Sequence, residues 1–252
     1  MKLGFAALLP ALFAVGCYLL EKRTKFLKMS FMARQCVYGV LFGALAIIGT
    51  EWGIPIDGAQ VNCRDAAVLT AGLLFGAPAG IIAGVIGGLE RWFAVYWGVG
   101  AFTRVACSVS TVIAGVYAAL LRKYMFENKK PGWALSFAIG IVMEVFHMTM
   151  VFLTNMGEPE RAMAVVRACT VPMVLANGFS VLIATLIIVF LSSDCKMRYD
   201  LFHNVRISQT IQRWLLIAVV IAFASSRAFV YRLQTTLPHP PTDSARPLAP
   251  AA

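Results

Sequence analysis

Charge is what this sequence has least of. Asp, Glu, Lys and Arg together make up 13% of the 252 residues, three residues are His, and 60% are hydrophobic. So few charged side chains cannot cover a soluble domain of this length. The net charge of +10 does not indicate a nucleic acid partner, because the Lys and Arg fall in short segments between apolar runs, where they set membrane orientation. The six cysteines stand singly at 17, 36, 63, 107, 169 and 195. With no CxxC pair and no His-rich partner they do not suggest zinc, and they read as small residues in helix interfaces. Cys63 and Cys169 both fall near one membrane face, but nothing in their spacing supports a disulfide. HExxH, a phosphate loop ending in GK, a kinase signature and a nucleophile beside a base are all missing. No catalytic residue, metal or cofactor is therefore expected.

What is present is enough apolar sequence for several bilayer crossings, each of which needs ~20 mainly apolar residues. Apolar runs cover 4–20, 36–50, 65–75, 78–97, 103–121, 133–153, 170–192 and 213–231. Residues 21–34, 122–130 and 194–213 are rich in Lys and Arg, whereas 51–63 and 92–102 have neither. The rich segments read as cytoplasmic. That alternation survives only if 65–97 crosses twice, with a tight inner turn at Gly76-Ala77-Pro78-Ala79-Gly80, where proline removes a backbone donor. The helix before the turn, 65–75, then reaches only about 16 Å, half the usual hydrocarbon thickness. Residues 51–64 must dip in behind it, which predicts an outward-facing pocket, since irregular backbone at that depth has to be buried in protein or line a cavity. The start of the chain reads as a retained anchor, 1–32, and 238–252 as a disordered, proline-rich tail.

Five glycines, Gly72, Gly76, Gly80, Gly84 and Gly88, recur every fourth residue through this region. Small residues at i and i+4 let membrane helices pack backbone to backbone. Intramembrane polar groups are costly and mark candidate function. Arg64 and Asp65 open the short helix, Arg91 ends the next, and Arg104 opens the one after, whose Thr103, Cys107, Ser110 and Thr111 share a face. Guanidinium groups around a recessed pocket suit a small anion such as a carboxylate. A plainer reading pairs Arg64 with Asp65 or Glu90 and sends Arg91 and Arg104 to the interface. Glu144 and His147 lie three apart on one helix face. A carboxylate metal site needs a second Glu-x-x-His and more, so this pair is expected to form an internal hydrogen bond or a proton-sensitive contact. Pro172, Asn177 and Gly178 are expected to kink helix 170–192.

Asn62-Cys63-Arg64-Asp65, the segment Gly72 to Gly80, Gly84, Gly87-Gly88, Arg91, Cys107-Ser108-Val109-Ser110-Thr111 with Gly115, Glu144 to Met148, Pro172-Met173 and Asn177-Gly178 together resemble the LytS/YhcK-type five-transmembrane receptor domain over about residues 33–195. The resemblance implies an all-α polytopic bundle in the bacterial inner membrane, serving as the input region of a sensor histidine kinase, diguanylate cyclase or phosphatase. Some LytS-like members are associated with cell-wall regulation or pyruvate sensing. It also implies a small-carboxylate pocket at Arg64, Arg91, Cys107 and Ser110. Asn62, Asp65, Arg104 and Thr111 are expected to join in ligand binding there, and Glu144, His147 and Asn177 to couple the signal. The glycine-rich helix pair is similar to substrate-binding S-components of vitamin transporters, which keeps a transport subunit open as the alternative. Two departures stand out: a long connection from Trp92 to Ala106, and a basic segment with another helix where an output domain would follow. Expected partners are the lipid bilayer, a small anionic ligand, and a cytoplasmic signalling protein or a second copy.

Overall fold

A computed structural model describes residues 2–191 apart from 57, 58 and 99. The basic connector and helix expected over 196–237, and the tail 238–252, lie outside the described residues. The elements are α1 (Lys2–Glu21), α2 (Thr24–Leu27), α3 (Phe31–Glu51), β1 (Ile54–Ile56), β2 (Ala59–Val61), α4 (Arg64–Thr70) continuing as a π-helical turn (Ala71–Phe75), α5 (Ala77–Phe93), α6 (Arg104–Leu120), α7 (Trp133–Thr154) and α8 (Pro159–Leu191). Six of them, α1, α3, α5, α6, α7 and α8, are long and apolar enough to cross a bilayer. The protein is an all-α polytopic membrane bundle.

The short helix sits at its centre. Every residue from Val61 to Gly76 is buried, because α4 is packed by α3, α5, α6, α7, α8 and α1. The others ring it and give their outer faces to lipid. On α5 the division is sharp: Ile81, Val85, Leu89 and Trp92 are exposed, whereas Gly80, Gly84, Gly87, Gly88 and Arg91 are buried. This inverts the soluble-protein pattern, since lipid accepts the large apolar side chains and the small ones permit helix contact.

The contact is as close as backbones allow. A Cβ on Gly72 would lie 2.5 Å from that of Ala118, one on Gly80 2.6 Å from Gly72 Cα, one on Gly84 2.9 Å from Thr111 O, and one on Gly88 2.6 Å from Val112 Cγ2. Gly115 of α6 is the counterpart of Gly80 and Gly84. Gly76 is different, for it makes the reversal between α4 and α5 with φ 147° and ψ 157°. Pro78 follows in the first turn of α5, where its missing N–H has no intrahelical acceptor to lose. Gln35 closes this turn, donating to Phe75 O at 3.0 Å and accepting from Ala79 N at 3.3 Å. Arg122 also donates to Leu73 O. Gln35 and Arg122 border two of the Lys/Arg-rich segments, so both segments lie at the end of the bundle that holds the turn.

Three features depart from the sequence reading. Residues 51–64 contain an antiparallel hairpin, Ile54 opposite Val61 and Ile56 opposite Ala59, because irregular backbone at that depth finds its hydrogen bonds in a strand pair. α8 begins at Pro159 rather than 170 and runs 33 residues through Pro172. Proline in the first turn and Glu160 behind it favour that start. At 1.5 Å per residue this helix is about 50 Å long, so its first turns extend past the hydrocarbon. Finally, Cys36 is exposed rather than buried between helices.

Candidate functional site

The N-terminus of α4 ends inside the bundle, and its orphan N–H groups require partners there. Asn62 Oδ1 accepts from Arg64 N at 3.1 Å, and Asn177 Oδ1, reaching from α8, accepts from Ala66 N at 2.9 Å. The Asn177 amide also donates to Asn62 O at 3.0 Å and to Met173 O at 3.1 Å. One side chain of α8 therefore ties down both the start of α4 and the chain leading to it. Asn177→Leu keeps the volume but strands a buried donor and a buried acceptor. It is expected to cost roughly 2–4 kcal/mol, read as a lowered melting temperature of the purified protein; a cost within experimental error would show that the link is not structural.

Arg64 and Asp65, the next residues, are 0% and 2% exposed. All three nitrogens of Arg64 meet neutral oxygens: Nε donates to Thr111 Oγ1 at 2.6 Å, Nη1 to Thr50 Oγ1 at 3.4 Å and Nη2 to Cys107 O at 3.4 Å. Asp65 Oδ1 lies 3.6 Å from Arg64 Nε and accepts from the Thr111 hydroxyl at 2.7 Å. Thr111 thus relays between the two charges. The plainer pairing of Arg64 with Asp65 is present, and it leaves Arg64 fully occupied.

Arg91 does not reach for the interface. It is 1% exposed, with Nη2 donating to Gly100 O at 2.6 Å and Thr103 Oγ1 at 3.2 Å, while Nη1 has no acceptor. Among the described residues no carboxylate lies within ion-pair distance of it. Cys107 is within electrostatic reach of Arg64, Arg91 and His147. Ser110, on the same face of α6, is buried with its hydroxyl unpaired. A narrow cleft lined by Ala59 and Gln60 of the hairpin and by Thr103, Cys107, His147 and Met148 has room for about one water molecule.

Arg104 stands apart. It is half-buried, donates to Trp92 O at 2.8 Å and lies over the rings of Trp92 and Tyr96 at 4.2 and 5.3 Å. The long connection after Arg91 is therefore an aromatic rim, with exposed Tyr96 and Trp97 and Trp97 donating to Glu51 at 2.9 Å. Such amphipathic rings belong at a membrane–water boundary.

Glu144 and His147 of α7 face α4. His147 Nδ1 lies 3.0 Å from Asp65 Oδ2 and 3.2 Å from Glu144 Oε1, and Nε2 lies 3.3 Å from Cys107 Sγ. Sequence reasoning singled out both members of this pair but not their meeting with Asp65. It also missed Gln35 and Thr50, whose one signal is a polar side chain at the margin of an apolar run.

The described residues form a multi-pass membrane domain with a central buried helix and a polar core at one end. The family described as 5TMR of 5TMR-LYT matches residues 22–190, and the chain belongs to it. Sensor histidine kinase YpdA of Escherichia coli K12 is 30% identical over 148 residues, covering 57% of this chain and 25% of YpdA. Sensor histidine kinase BtsS of the same organism is 27% identical over 141 residues, 55% of this chain and 24% of BtsS. Sensor protein LytS of Streptococcus agalactiae serotype V is 26% identical over 219 residues, 78% of this chain and 35% of LytS. The chain thus spans about a quarter to a third of the length of these curated relatives. No solved structure matches it. It is a LytS-like membrane input domain of the bacterial inner membrane.

Proposed function

We propose that this domain senses a small extracytoplasmic carboxylate and passes the signal to a phosphorelay output. Arg91 carries the reading: a buried guanidinium with only neutral partners and one idle nitrogen leaves a positive charge uncompensated in the bundle, which an anion would balance. Cys107 and Ser110 supply further donors around that place, and Arg64, held by Asn62, Asp65 and Thr111, adds positive charge beside it. Arg104 belongs to the rim and helps select what arrives. α4 runs from this cluster to the Gly76 turn at the opposite end, and Asn177 joins it to α8, so a displacement of α4 would reach both the turn and α8. The ligand moves that equilibrium only by its differential affinity for the two states.

The test is thermal stabilisation of the purified protein in detergent across a panel of two- to four-carbon carboxylates. A ligand at a hundred times its Kd is expected to add ~2.7 kcal/mol. Arg91→Gln should weaken that ligand about tenfold to a hundredfold, the worth of one charge-assisted hydrogen bond. A panel with no hit, or a hit indifferent to Arg91, would overturn the proposal.

A further inference from the structure

The contacts around His147 pose a problem in hydrogen bookkeeping. Its ring is buried between α4, α6 and α7, with Nε2 3.3 Å from Cys107 Sγ; in the tautomer that carries its proton on Nε2, Nδ1 presents a lone pair. That lone pair faces Asp65 Oδ2 and Glu144 Oε1. Neither contact has hydrogen-bond alignment, and Asp65 Oδ2, both Glu144 oxygens and His147 Nδ1 have no hydrogen-bond partner. Glu144 and His147 are 0% exposed and Asp65 2%. In that tautomer three acceptors converge in a membrane interior and repel one another unless a cation stands between them.

We propose that Asp65, Glu144 and His147 form a binding site for one divalent first-row transition-metal cation of the zinc type. The donor atoms lie within 4.8 Å of one another, and the two imidazole–carboxylate separations of 3.0 and 3.2 Å suit adjacent corners of a coordination polyhedron. Ligands each ~2.0–2.2 Å from a metal stand roughly 3–3.4 Å apart at angles of about 90–110°. An imidazole nitrogen with two carboxylates selects such a cation over magnesium or calcium, which take oxygen ligands. Two ligands are already oriented from behind, as metal ligands require. The Thr111 hydroxyl and Arg64 occupy Oδ1 of Asp65, leaving Oδ2 for the site, and Cys107 faces the other nitrogen of His147. A cleft with room for about one water molecule adjoins Cys107 and His147. The sequence suggested no metal because it holds a single Glu-x-x-His; the third donor comes from α4, a remote segment that folding brings against α7. The site does not depend on the carboxylate reading.

The full chain, purified in detergent and stripped with a chelator, would be titrated with Zn2+ and with Co2+, and with Mg2+ as the control. One Zn2+ per chain is expected, with a rise in melting temperature, and Mg2+ should have no effect. Bound Co2+ should show visible d–d bands without a thiolate charge-transfer band, since Cys107 is not a ligand. Glu144→Gln and His147→Gln should each lower Zn2+ affinity at least tenfold. No stoichiometric uptake by the unmodified protein overturns the proposal whatever the variants do. A thiolate band, or uptake that survives both substitutions and so resides elsewhere, such as at His203 or His239, overturns it equally.

Discussion

Arg64→Met, measured in chelator-containing buffer, is expected to cost about 3–5 kcal/mol of folding stability, the loss typical of removing one partner from a buried ion pair. The reason is what stays behind. Asp65 keeps the Thr111 hydrogen bond but loses its only guanidinium within ion-pair distance among the described residues, and Glu144 remains nearby without a hydrogen bond. Thr50 and Cys107 O also lose a donor. On a domain of this size the melting temperature should fall by on the order of 10 °C. The decisive comparison is Arg64→Met with Asp65→Leu in one chain. Replacing both charges by apolar groups of similar volume is often neutral, so the double variant should recover most of the loss, with a coupling energy at least as large as the loss recovered. If the two losses simply add, Arg64 stabilises through its hydroxyl and carbonyl contacts and not through Asp65.

Gly76→Ala should be the second severe change. At φ 147° and ψ 157° the residue occupies a region essentially closed to side chains, and holding alanine there costs ~1–3 kcal/mol. The new Cβ would also fall onto the Gln35 amide, with Gln35 Cδ only 2.9 Å away, breaking the clamp on Phe75 O and Ala79 N. Together these effects should lower stability by about 3–5 kcal/mol, again seen as a melting temperature reduced by on the order of 10 °C. Adding Gln35→Ala separates the two causes. It removes the collision but not the strained backbone, so the double variant should remain below the single Gln35→Ala protein by the strain alone. Were Gly76→Ala nearly neutral, the reversal would have to tolerate another backbone path, and the rigid link between α4 and α5 would be lost as an explanation.

Much of this architecture was legible before any coordinates. The apolar runs and the Lys/Arg asymmetry led to two crossings in 65–97, and Pro78 placed the turn within a residue or two of Gly76. These signals are local, because a bilayer acts as solvent on each segment separately: length, polarity and flanking charge decide whether a stretch spans. The glycine spacing likewise announced close packing, though not that Gly115 would be the counterpart. The hairpin at 54–61 and the early start of α8 were not readable. The hairpin strands are three residues each, and the first turns of α8 mix charge with apolar residues as a surface loop does. The residues alone dictate a multi-pass bundle with a short helix, and most of the polar side chains within it, Gln35 and Thr50 excepted. How those residues divide is set by packing: Arg64 spent on Thr50, Thr111 and Asp65, Arg91 left with a free nitrogen, Arg104 drawn to the aromatic rim, and Asp65 brought against Glu144 and His147. That division depends on how far each helix is rotated and slid against its neighbours, which is set by interlocking small residues across the bundle and leaves no trace in the periodicity of any one segment.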